Sequence, residues 1–156
     1  HADISILGSW IKLIYTENGR QFTVEWPESH DDIVRGLWKN MALTHPAMMI
    51  RAEAFRKLGH YSELYDAAED YELCRRAMQA GYRLHNIPTV LLIKTETRES
   101  ISWRKRRIQL KSRLRIQWRY GDLANLRCLG GMLKTAAILM VPDKLAPAVK
   151  ALISRR

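Results

Sequence analysis

The chain has 156 residues, 47% of them hydrophobic and 27% charged. That composition suits one globular domain with its own core and excludes a disordered or fibrous chain. The net charge of +10 is uneven: residues 1–102 carry 12 Lys and Arg against 14 Asp and Glu, whereas residues 103–156 carry 14 against 2.

The pattern opens with β-branched alternation in "ISILGSWIKLIY", predicting one or two strands over Ile4–Tyr15. Asn18-Gly19 supplies a hairpin turn, and "QFTVEW" is the returning strand. Pro27 and Ser29 break the strand pattern. A helix is expected in "SHDDIVRGLWKNM", with Ser29 as N-cap, Asp31 and Asp32 in the first turn, and Ile33, Val34, Leu37, Trp38 and Met41 at helical spacing. "THPAMMIR" is expected as a short buried strand, and "AEAFRKLG" as a brief helix stopped by Gly59. The polar, aromatic and aperiodic "HYSELYDAA" is a loop.

A second amphipathic helix is predicted over Glu69–Ala80, with Leu73, Cys74 and Ala77 inward and Gly81 just past its end. "YRLHNIPTVLLIKTE" is a strand interrupted by Pro88. From Trp103 the chain becomes helical and basic, with eight Lys and Arg and no acid before Gly121. Apolar helical runs follow, broken at Pro142 and Pro147; the run Met132–Val141 is too short to span a bilayer. Strands alternating with helices, then helix alone, predict an α/β body (residues 1–102) and a partly amphipathic helical extension (residues 103–156). Cys74 and Cys128 have no metal-ligand spacing, so a disulfide framework is not expected and a reducing compartment fits. The start "HADISILGSW", without methionine or secretory signal, is expected to be the middle of a longer protein.

Five features in order carry a resemblance. They are "LGSWIKLI" with its "ENG" turn, the His-Pro stretch at His45-Pro46, the Gly-x-Tyr loop at Gly59–Tyr61, the Glu-Asp pair Glu69-Asp70 opening a helix, and the Asn-x-Pro strand at Asn86–Pro88. Together they resemble the acceptor-side half of family 2 glycosyltransferases, inverting nucleotide-sugar enzymes of the GT-A fold, over roughly Ile4–Ser102. The resemblance implies a partial, Rossmann-like GT-A mixed sheet with flanking helices. It also implies transfer of a sugar from a nucleotide-sugar donor to a glycan or lipid-linked glycan hydroxyl. The family's front half, which binds the nucleotide and ends in an acidic metal-binding motif, has no counterpart here. A divalent Mg or Mn ion is therefore expected in the full-length enzyme, held mainly by that half, and this chain alone is expected to be inactive. The family's Arg-x-His after the last strand is replaced by Thr95 and Thr97, and its usual tryptophan by Cys74.

Matched to the family's pattern, Asp70 is the general base and Glu69 its neighbouring support, a residue that caps the helix, orients a loop or contacts the acceptor. Read from helix chemistry alone, both are ordinary first-turn carboxylates. His45 either lines the donor–acceptor cleft or fixes a strand entry. Tyr61 and Tyr65 either stack on a sugar or pack internally. Arg76 is expected to pair with Glu72 one turn back or with a main-chain group.

Arg104, Lys105, Arg106, Arg107, Lys111, Arg113, Arg115 and Arg119 alternate with Ile108, Leu110, Leu114, Ile116 and Trp118. The expected partner is an anionic membrane surface, contacted by Arg104, Lys105, Arg106, Arg107, Lys111 and Arg115, with Trp103, Trp118 and Tyr120 at headgroup depth. The competing reading is a solvated helix covering the sheet edge. The expected location is cytoplasmic, peripheral at the inner face of the plasma membrane. A non-catalytic glycan- or membrane-binding module is the alternative function; nucleic acid is a lesser rival, since no recognised module accompanies the tail. Open strand edges also invite a homodimer.

Overall fold

The computed structural model describes residues 3–97, 100, 104–142 and 145. The expectations placed on His1, Trp103 and Pro147 lie outside them. The described residues form a mixed α/β fold of four strands and five helices, built on one long strand, β1 (Ile4–Tyr15). The uninterrupted "ISILGSWIKLIY" pattern gives one strand rather than two.

β2 (Gln21–Val24) returns antiparallel to β1, with Ile11 opposite Val24 and Ile14 opposite Gln21. The turn between them uses Gly19 at φ 64° and the Asn18 side chain, which accepts from the Arg20 N–H at 3.0 Å. β3 (Met49–Ile50) pairs antiparallel with the start of β1. β4 (Arg83–Glu96) runs parallel to β1 along its whole length. Parallel neighbours need a long crossover, and here it holds helices α1 (His30–Leu37), α2 (Ala52–Leu58) and α3 (Glu69–Gln79).

One expectation changes. "THPAMMIR" is a 3-10 turn at His45–Ala47 followed by only two strand residues, and Met49 is 72% exposed rather than buried. Pro46 lacks an N–H and fixes φ, which favours the tight turn over a ladder. Pro88 interrupts the β4 ladder, as expected, without ending the strand. The register slips there, from Ser9 opposite Ile87 to Trp10 opposite Val90, so a bulge absorbs the missing donor.

Ser29 caps α1 by accepting from Asp32 N, and Gly59 (φ 82°) ends α2, both as the sequence indicates. Ile6, Ile33, Leu37, Leu43, Leu73, Cys74, Ala77 and Leu84 form the core between sheet and helices. Cys74 and Cys128 are free thiols and buried. Asn86, with no exposed surface, donates to Pro27 O at 2.7 Å and Ala42 O at 3.0 Å, tying β4 to the segments on either side of α1.

The tail forms α4 (Arg106–Arg119) and α5 (Leu126–Met140), the latter ending two residues before Pro142. The two helices run antiparallel: Arg106, at the start of α4, donates to Ile138 O near the end of α5, and Gln117 lies beside Gly131. α4 is not merely an appendage. Ile116 belongs to the body's core, Gln117 Nε2 donates to Lys39 O at 3.1 Å, and Arg75 of α3 donates to Tyr120 O.

Candidate functional site

The first turn of α3 leaves backbone N–H groups without intrahelical acceptors. Its N-cap is Ala68, which has no side-chain acceptor to offer. Asp70 supplies one instead: its Oδ1 accepts from the Tyr71 N–H at 2.7 Å. Glu69 makes no side-chain hydrogen bond among the described residues. The helix-capping role expected of Glu69 therefore falls to Asp70.

Asp70 is half-buried. Burial pushes its carboxyl up from the ordinary 3.8; the Tyr71 N–H bond, His45 and Arg113 pull it back, and Glu69 pushes it the same way as burial. A favourable helix terminus alone would hold it low, so desolvation outweighs the terminus here.

His45 and Tyr61 lie within electrostatic reach of it. His45 Nε2 and the Tyr61 hydroxyl share a hydrogen bond of 3.0 Å, with rings edge to face at 5.4 Å. Phe55 braces Tyr61 at 5.2 Å and His60 at 4.9 Å. Burial raises the Tyr61 phenol, with Asp70, Cys74 and Glu69 adding to the shift. The fold thus gathers Glu69, Asp70, His45 and Tyr61 from α3, the 3-10 turn and the loop after α2. Tyr65 is different. It is 7% exposed and packed in the core with Ala68 and Tyr71, so its ring has no face to lay on a sugar.

Arg76 takes the expected partner. It grips Glu72 with Nε to Oε1 at 3.0 Å and Nη2 to Oε2 at 2.8 Å, and also donates to Leu58 O and to His60 O at 2.7 Å. This guanidinium is committed to fastening α2 to α3. Arg75 is 1% exposed, stacks over Trp38 at 4.1 Å and donates to Leu37 O.

Sequence reasoning missed Arg113 as a site residue, because it stands inside a run of surface-like cations. Its Nε is buried without a hydrogen-bond partner, and its charge acts on Asp70 and Tyr71. The signal was its spacing: Arg113 falls three after Leu110 and three before Ile116, both buried. Among the six expected membrane contacts, Arg104, Lys105, Arg107, Lys111 and Arg115 are exposed, with Lys105 paired to Asp66 at 2.9 Å. Arg106 is not available in that way, since the carbonyls of Ile138 and Val141 occupy it.

A separate depression is lined by Asp3, Glu28, His30, Asp32, Arg83 and His85, and contains none of the residues above. Its charges are largely matched internally, with Arg83 on Asp3 at 3.0 Å and Asp32 held by Ser29 and Arg35. Among the described residues no group of three or more His, Cys, Asp or Glu side chains is placed to hold a metal ion. No protein-family model, curated protein or solved structure matches the chain.

Proposed function

We propose that this chain is the acceptor-binding, base-bearing portion of an inverting glycosyltransferase of the family 2, GT-A type. The observation that carries the reading is Asp70: a half-buried carboxylate in the first turn of α3, its carboxyl lifted by burial, within electrostatic reach of the hydrogen-bonded His45–Tyr61 pair. In such a reaction an acceptor hydroxyl attacks the anomeric carbon and a nucleoside diphosphate leaves from the opposite face. The attacking oxygen must shed its proton, and Asp70 is the group to take it. A carboxylate raised by desolvation is a stronger proton acceptor than an exposed one. His45 and Tyr61 offer a polar edge and a partly exposed ring for the acceptor sugar.

The sheet supports the reading from another side. Among the described residues β4 pairs only with β1, and its outer stretch leaves Val90, Leu91 and Ile93 38%, 61% and 64% exposed. A long apolar edge of this kind is normally covered. The front half of a GT-A domain, with its nucleotide and divalent-metal sites, would supply the covering strands. No step assigned to Asp70 here depends on that metal.

The test is transfer by the full-length protein across a panel of nucleotide sugars, with and without Asp70→Asn. The expected loss is about 10²–10⁴-fold with the fold intact. Near-normal transfer by the variant would refute the base assignment. Absence of turnover with every donor would leave the glycan-binding module as the better reading.

A further inference from the structure

α5 presents an apolar stripe to the outside. Leu126, Gly130, Leu133, Ala137 and Met140 are all exposed, with Leu126 at 82%, Leu133 at 71% and Met140 at 85%. Their spacing of four, three, four and three residues places them on one helical face. The opposite face is fixed. Cys128, Gly131 and Thr135 are buried, and Gly131 lies directly against the backbone of Trp38 and Lys39. The helix is therefore held with its apolar stripe outward, where a merely solvated helix would carry polar side chains.

The charge around the stripe limits what can cover it. Arg127 and Lys134 are exposed and flank it along one side. From residue 104 to 141 the chain carries ten Lys and Arg and a single acid, Asp122. α4 adds exposed Lys111 and Arg115, with Trp118 67% and Ile108 45% exposed among them. A second copy docked on this face would bring like charges together. An anionic lipid surface satisfies both features at once: acyl chains take the leucines and methionine, and headgroups take the cations. With 15 residues, α5 is about 22 Å long. No described helix is long and apolar enough to cross a membrane, so α5 would lie in the plane of the interface.

We propose that α5 is a membrane-docking helix, its Leu126–Leu133–Met140 stripe entering an anionic lipid surface while Arg127 and Lys134 reach the headgroups. This moves the primary contact from the basic turns of α4 to α5, and it is independent of the sugar-transfer reading.

The test is co-flotation of the chain with vesicles of phosphatidylcholine containing about one phosphatidylglycerol in three, against phosphatidylcholine alone. Binding to the anionic vesicles is expected, weakening with salt. Replacing Leu126, Leu133 and Met140 together by serine should cut it about tenfold or more, with an unchanged circular dichroism spectrum, since all three sites are exposed. Arg127→Gln with Lys134→Gln should weaken binding and flatten its salt dependence. Absence of binding by the unaltered chain overturns the proposal whatever the variants do, and so does binding that the serine variant retains in full. A dimer that light scattering detects and the serine variant dissolves, without vesicle binding, assigns the stripe to a second copy and overturns it too.

Discussion

The Tyr120 hydroxyl donates to Glu72 Oε1 across 2.6 Å, joining the end of α4 to α3 two residues beyond Asp70. Glu72 is 1% exposed and already holds Arg76, so Tyr120 completes the coordination of a buried carboxylate. The basic tail and the candidate site are one structure at this point. Tyr120→Phe removes a hydrogen bond to a charged, buried acceptor. The expected cost is about 1.5–3 kcal/mol, read from urea unfolding. An unchanged midpoint would show that the contact carries no stability.

Asp70 makes a pH prediction with a definite sign. Its carboxyl is raised in the folded state, chiefly by burial. Ionising it therefore costs stability. That cost is absent below the ordinary value of 3.8, grows as pH rises through the raised folded value, and is constant above it. Asp70→Asn should unfold at a higher temperature than the parent at neutral pH, and the gap should close in acid. A gap that widens in acid would contradict the shift.

Arg113 pulls the same carboxyl down. Arg113→Met should move the Asp70 titration upward, followed by the carboxyl carbon shift in NMR, and Arg113→Lys should restore part of the difference. A titration unmoved in both variants would separate Arg113 from the site.

Two adjacent glycines should respond oppositely to alanine. At Gly131 a Cβ would lie 2.5 Å from Trp38 O and 2.8 Å from Lys39 Cα, both backbone atoms, so the helix must shift. A loss of about 2 kcal/mol or more is expected. At Gly130 the same atom meets open space. There alanine should stabilise by about 0.5–1 kcal/mol through helix propensity. Paired thermal melts check both.

Gly8 has a similar constraint. A Cβ there runs into Asn86 Oδ1 and comes within 3.0 Å of Leu43 Cδ2. Asn86 is fully buried and bonded to two carbonyls, so it has nowhere to go. Gly8→Ala should cost about 2–3 kcal/mol in chemical denaturation, by overpacking and lost hydrogen bonds.

Local chemistry made much of this legible in the sequence. The Asn18-Gly19 turn, the Ser29 cap, the Gly59 stop, the inward Leu73, Cys74 and Ala77, and the Arg76–Glu72 pair all rest on interactions within a few residues of chain. Periodicity and turn chemistry therefore sufficed for them. The glycosyltransferase resemblance lies beyond such local rules, and its test is transfer activity.

Other features depend on which distant segments meet. Pro88 interrupts its ladder, yet β1 offers a continuous partner and the strand absorbs the proline as a bulge. Tyr65 and Tyr61 look alike in one loop, yet one faces the core and the other the site, because only Tyr61 lies within reach of Phe55 and His45. Arg113 was one cation among eight until the packing of α4 on α3 turned it inward, while Trp118 and the α5 stripe stayed outside. The sequence by itself determined most of the elements, the Ser29 cap, the Gly59 stop and the charged tail, since each is encoded within a turn or two of chain. Tertiary structure alone decided the pKa of Asp70, the Tyr120 hydroxyl on Glu72 and the outward face of α5, because burial and charge at a site are set by residues dozens of positions away.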